Sequence, residues 1–361
     1  MRGRNITICL IAVVTGAVLL VTAGDQLGYI NSQRRQMNLV RNEPLENAPP
    51  SLAFATVALG AFRGLLVDAL WIRADRLKEE GQFFDARQLA DWIVALQPRF
   101  PQVWAFNAWN MAYNISVAIP ASEPEQRWHW VKAGYELLRD KGIPLNPTDI
   151  KLYRQLALIF QHKIGGITDD DHRYYKVRLA EAMEPLLGPA DEEYFHKLAE
   201  APKTLDEILA DANVAEFVDS LKKADESFAD DKTLVPNYLA LRQEPKKYKP
   251  AALDVIDKYR KTETLEKFDV FAKAWQLRNE WKLDPKLMEQ INKTYGPVDF
   301  NDPNHHLPLD WRNADVHAIY WAVLGLERES RRELSVTEAN ADRIVSQSLQ
   351  DLYRRGRLFI Y

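Results

Sequence analysis

The feature that most constrains this chain is a spacing. Leu70, Ala74 and Leu77 recur 34 residues later as Trp104, Ala108 and Met111, with Gly81, Phe83, Ala86 and Pro98 falling between them. Apolar residues at i, i+4 and i+7 define one face of a helix, and Asp75, Lys78 and Glu79 point away from it. Gly81 breaks that helix, and Phe83, Ala86, Ala90 and Ile93 carry a second apolar stripe as far as Pro98. A repeat of this length is a helical hairpin that cannot bury its apolar faces alone, so successive copies must stack. Ala74 and Ala86 are small enough to let paired helices approach closely.

A third series, Tyr153, Ala157 and Phe160, follows Pro147 at the offset by which Trp104 follows Pro98. An aromatic residue or Leu, a small residue, an apolar residue, then Gly, aromatic, Ala and a closing Pro resembles the tetratricopeptide repeat family. The resemblance covers Val67 to about Leu187, and His317 to Gly356 more weakly through Trp321, Leu324 and Gly325. It implies stacked α-hairpins with a concave surface, and hence a scaffold or adaptor that holds a protein partner. The chain departs from the pattern between Met111 and Pro147, where extra residues with Pro120, Pro124, Trp128 and Trp130 predict an enlarged loop in the second hairpin.

Residues 188–300 have a different texture, rich in Lys and Glu, with Thr204-x-x-Glu207 forming a capping box ahead of an amphipathic run. Ser335-x-x-Glu338 marks another helix start. Strand signals are scarce, so the expected fold is all-α. The expected order is a transmembrane anchor (1–24), a stalk (25–50), TPR-like repeats (51–187), a charged helical insertion (188–300) and a C-terminal helical module (301–361).

The anchor rests on Ile6 to Ala23, 18 residues without charge behind Arg2 and Arg4, long enough to cross a bilayer core as a helix. Val21 and Ala23 also fit a processing site, so a cleavable signal is the competing reading. Arg2 and Arg4 favour a cytoplasmic N-terminus, with the bulk of the chain on the extracytoplasmic, periplasmic side of the inner membrane. A second apolar stretch, Leu52 to Ile72, is interrupted by Arg63 and Asp68 and reads as a buried or membrane-surface helix, with a second crossing, suggested by Gly60-xxx-Gly64, as the alternative. The stalk ends at Pro49-Pro50, which disfavour helix before them.

Composition narrows the chemistry. The 361 residues are 47% hydrophobic and 27% charged, and interleaved signs leave no long basic block for nucleic acid. The Lys-rich stretch Lys246 to Lys261 reads as a solvated helix face. Cys9 is the only cysteine, which rules out disulfides within the chain and cysteine-based zinc sites. No glycine-rich phosphate loop, Gly-x-Ser-x-Gly elbow or HExxH pair is present, so no cofactor is implied.

Three places carry polar or aromatic groups dense enough to be sites. Asn107, Trp109, Asn110 and Asn114 share a helix whose packing face is supplied by Trp104, Ala108 and Met111, so with Trp130 they are the expected partner-binding residues, amides beside indoles. The same groove would suit sugar hydroxyls. His305, His306, Asp310 and His317 form the alternative, a metal centre of an envelope hydrolase or lyase, although adjacent histidines fit no metal signature. The competing reading there is a structural loop in which Asp310, Trp311 and Arg312 lock the last helical pair in place. Finally, His162, Asp169, Asp170, Asp171 and His172 surround a Gly-containing turn that lacks the closing Glu of a calcium loop and reads as an N-terminal helix cap.

Overall fold

The structure is a computed structural model and describes residues 63–188, 191–302, 304–328 and 336–355, with positions 15, 22, 26, 29, 30, 32 and 33 besides. The expected anchor, the stalk and the 52–62 part of the second apolar stretch therefore lie essentially outside the described residues, as does Ser335. Among the described residues the fold is all-helical apart from one isolated antiparallel bridge between Val298 and His306. None of their helices is long and apolar enough to cross a membrane.

The repeat spacing becomes stacked hairpins. Helices α1 (Arg63–Glu79) and α2 (Phe83–Leu96) turn at Gly81, whose φ of 77° is the left-handed conformation glycine tolerates best. Next come α3 (Pro101–Trp109), continued by a wide π-helical turn Asn110–Ile115, and α4 (Pro124–Leu137), continued by a second such turn Leu138–Gly142. Ala74, Ala86 and Ala108 are wholly buried, as is Ala157 of α5 (Ile150–Leu158). The residues between Met111 and Pro147 lengthen the two helices of the second hairpin, and the joint itself stays short. An enlarged loop was the wrong expectation.

The shared proline offset has a direct cause. Trp104 Nε1 donates to the Pro98 carbonyl at 2.8 Å, and Tyr153 Oη donates to the Pro147 carbonyl at the same distance. Each proline ends one helix, and the aromatic tip six residues on satisfies the carbonyl left over at that end.

The third hairpin is assembled from distant sequence. Helix α5 runs on through the π-turn Ile159–Ile164, and its packing partner is α14 (Ala314–Arg328). Gly325 of α14 lies so close to α5 that a Cβ there would meet the Tyr153 Cβ at 2.6 Å. Helix α15 (Val336–Arg355) is tied to the same turn, because Gln161 Nε2 donates to the Ile344 carbonyl at 3.1 Å and to Ser348 Oγ at 3.2 Å.

Everything between α5 and α14 is inserted, starting with α6 (His172–Met183) and α7 (Glu192–Glu200). Helices α8 (Leu205–Leu209), α9 (Ala212–Ala224), α10 (Asp231–Gln243), α11 (Pro250–Tyr259) and α12 (Glu263–Gln276) then enclose a separate core centred on Phe217, Phe228, Tyr238 and Phe268. The π-turn Leu277–Trp281 and α13 (Pro285–Tyr295) return to the main core through Leu277, Trp281, Met288 and Ile291. The unit with its own core is thus smaller than 188–300, and α13 belongs to the array.

Candidate partner-binding face

The polar residues of α3 are committed inward. Asn107 and Asn110 are wholly buried. Asn107 Nδ2 donates to Asp91 Oδ1 at 2.7 Å, and Asn110 Nδ2 to the Phe83 carbonyl at 2.9 Å, so both brace α2 against α3. Asn114, half-buried, donates to Asn110 Oδ1 at 2.8 Å. The expectation that Asn107 and Asn110 offer amides to a partner is therefore corrected: both are turned into the hairpin, where the second helix supplies acceptors for their N–H groups and Asn107 Oδ1 has no protein partner among the described residues.

The aromatic residues divide between two faces. Trp109 is 37% exposed and stacks on Tyr113 with ring centroids 5.6 Å apart and planes 18° apart. Tyr113 meets the His162 ring of the third hairpin at 5.8 Å, and its hydroxyl donates to the Leu158 carbonyl at 3.4 Å. Phe106, one turn earlier, lies 5.0 Å from Trp71 and carries the Lys78 ammonium over its ring at 5.4 Å. A ribbon of rings, Trp109, Tyr113 and His162, thus links the second and third hairpins, and the Phe106–Trp71 pair links the second to the first. Trp130 does not join this ribbon. It packs edge-on against Phe84 at 5.6 Å and under the Arg87 guanidinium at 5.1 Å, on the second helices.

Beneath the ribbon lies a buried ionic cluster. Lys163 sits over the Tyr113 ring at 5.4 Å, and its ammonium donates to the Asp169 carboxylate. The Arg127 guanidinium lies 3.2 Å from Asp171 and 3.6 Å from Asp169, with Nε donating to the Ile119 carbonyl. Burial alone would push the Asp169 carboxyl up, but the Lys163 ammonium and the Asp171 N–H hold it below its ordinary value. The turn that reads as a helix cap does precede a helix at His172, yet Asp171 makes no side-chain cap bond. Its carboxylates clamp α4 and α5 instead. Burial raises the Tyr113 phenol, which stays neutral.

The histidine cluster disperses. His317 is completely buried among Phe160, Trp281 and Trp311, and its Nε2–H donates to the Trp311 carbonyl at 2.9 Å. His305 spans Glu192 at 2.9 Å and Asp299 at 3.4 Å, while His306 Nδ1 donates to the Gly296 carbonyl at 2.8 Å. Asp310 is held by Arg312, which also reaches Glu184 at 2.9 Å, and the buried Trp311 donates to Asn292 Oδ1 at 3.0 Å. The four residues share no partner, and among the described residues no three His, Cys, Asp or Glu are placed to hold a metal ion. The metal-centre expectation at His305, His306, Asp310 and His317 is corrected accordingly.

Tyr113, His162 and Lys163 are the parts of this face that sequence reading missed as a unit. Tyr113 falls four residues after Trp109, the spacing at which helix side chains touch, and that was the available signal. Comparison with protein-family models gives no match, and neither the curated proteins nor the solved structures give one.

Proposed function

We propose that this chain is a scaffold of tetratricopeptide-like type, held to the inner membrane by residues 6–23 with its bulk on the periplasmic side. It captures a protein partner on the ring ribbon led by Trp109 and Tyr113. The observation that carries the reading is the exposed, stacked Trp109 on a helix whose amides are already spent. With Asn107 and Asn110 turned inward, the face is short of the donors and acceptors that sugar hydroxyls need, which favours apolar protein side chains over a saccharide. A large aromatic anchor beside half-buried rings is the usual energetic centre of a protein interface.

The test is partner capture by crosslinking and pull-down from native membranes with Trp109→Ala. Loss of a hot-spot tryptophan costs about 2 kcal/mol or more, so capture should fall at least about 30-fold. Thermal stability should be nearly unchanged. A marked drop in melting temperature with capture retained would make Trp109 a core residue and end the proposal.

A further inference from the structure

A second site lies away from the ribbon, where the array meets the inserted helices. A cleft of about 540 Å³ opens between α4, α6 and the turn after α12, and Arg139, Trp281, Lys132, Lys282 and Gln276 are among the residues that line it. Pockets of this volume at junctions between structural units are common small-molecule sites.

Its floor is unusual. Arg139 is more than nine-tenths buried, which a guanidinium tolerates only when its charge is paired. It lies over the rings of Tyr135 and Trp281, each at 5.5 Å. Nε and Nη2 grip Asp140 at 2.7 and 2.8 Å, and Nη2 also reaches Glu136 at 3.4 Å. Nη1 is left without a protein acceptor among the described residues. Arg139 and Trp281 both sit in π-helical turns, Leu138–Gly142 and Leu277–Trp281, and Lys282 next to the second turn has a φ of 56°, left-handed for a side chain that ordinarily avoids it. Two widened turns and one strained residue therefore converge on the same cleft from both walls.

The charges decide what fits. The carboxylates that line the cleft are engaged: Asp140 by Arg139, Glu136 by Arg139 and, at 3.9 Å, by Lys132, and Glu280 by Gln276 at 2.7 Å. Open donors remain on Arg139 Nη1, on Lys132 and on Lys282, whose ammonium also donates to the Asn279 carbonyl, beside one buried open acceptor, Gln276 Oε1. We propose that this cleft binds a small organic oxyanion, a carboxylate or phosphate group that accepts from Arg139 Nη1 between the two lysines. The planar guanidinium fork suits either group, and the neighbouring indole offers a flat apolar wall to the rest of the molecule.

The test uses the full-length protein purified in detergent, titrated with inorganic phosphate or with succinate against sodium chloride at matched ionic strength, and read by thermal denaturation. A saturable rise in melting temperature with either probe is expected, and the probe that gives it separates the phosphate from the carboxylate source. Arg139→Lys should weaken that response at least tenfold. Because this substitution also loosens Asp140, a Lys132→Ala/Lys282→Ala pair of rim residues supplies the independent arm and should weaken it several-fold with the fold intact. No saturable shift with either probe overturns the proposal, and so does an undiminished shift in the double variant.

Discussion

The array and the inserted unit are both helical, yet they are held together differently. In the array, Asp149 and Asp284 cap α5 and α13, while α2, α3 and α4 begin at Gln82, Phe100 and Glu123 with no side-chain cap. Their stability comes from neighbours: glycines and alanines at crossing points, aromatic tips on proline carbonyls, and charges buried in pairs. In the inserted region, α7, α8, α9, α10 and α12 are each capped by Asp191, Thr204, Asp211, Asp230 or Thr262, and α6 and α11 start without a side-chain cap. Its one wholly enclosed carboxylate, Asp225, accepts from the backbone N–H groups of Ser227 and Lys249 at 2.9 and 2.8 Å. Local caps close more of the inserted helices and distant contacts hold more of the array, so damage should spread differently in the two.

The largest effects should come from the two interiors. Asp169→Asn leaves Lys163 and Arg127 buried with one carboxylate between them, and breaking a buried ion pair costs about 3–5 kcal/mol. Phe217→Ala, in the centre of the inserted core, should cost a similar 3–5 kcal/mol through the cavity it leaves. Hydrogen exchange separates them. Asp169→Asn should raise exchange across α4, α5 and α14, and Phe217→Ala only within α8 to α12. A uniform rise in both variants would mean that the chain unfolds as one unit and that the two regions do not differ.

Acid should attack the array first. Burial among rings, reinforced by the Arg139 charge, lowers the His317 pKa from about 6.5 to about 4. The folded state keeps this imidazole neutral while the unfolded chain takes up a proton below about pH 6.5. Stability present above that pH is therefore lost as pH falls toward 4, by about 3 kcal/mol across the window. His317→Phe keeps the ring packing and removes the titration, so denaturant midpoints measured between pH 7 and pH 4 should vary much less in that variant. An equal pH slope in both proteins would show that other groups drive the acid response.

Close helix approach gives the next effect. Gly325→Ala forces a methyl against Tyr153 where the separation would be 2.6 Å, and overpacking of this kind costs about 1–3 kcal/mol. Gly64 has nothing within 4 Å of the corresponding position, so Gly64→Ala is the matched control and should be neutral or slightly stabilising. Thermal melts of the two variants measure how much of the array depends on that single crossing.

How much of this was legible follows the same divide. The 34-residue spacing exposed the hairpins because proline and aromatic residue act within six positions of each other, and the Thr204 box was readable because both partners sit within one turn. The partner of α5 was not, since α14 arrives some 150 residues later and no local pattern joins them. Asn107 and Asn110 looked like surface amides because their acceptors, Asp91 and the Phe83 carbonyl, lie on another helix. The π-turn at Asn110–Ile115 also shifts the helical register, so faces counted at 3.6 residues per turn drift beyond Trp109. Asp169 and Asp171 passed for a cap because acidic residues ahead of a helix usually are one, and only the fold brings Arg127 of α4 beside them.

The smallest test concerns the caps themselves. Thr262 Oγ1 accepts from the Leu265 N–H at 3.3 Å and opens α12, the helix that joins the inserted core to the lining of the cleft. Thr262→Ala removes one acceptor from the exposed end of a helix, and losses of this type run at about 1 kcal/mol. If the inserted helices are locally specified, that cost should appear in full as faster hydrogen exchange at the start of α12. Gln82→Ala at the uncapped start of α2 should then change almost nothing, because the array gains its order from α1 and α3 packing on that helix and no side-chain cap is there to lose. Equal losses at the two positions would place the same kind of local encoding in both regions, and the difference between them would reduce to composition.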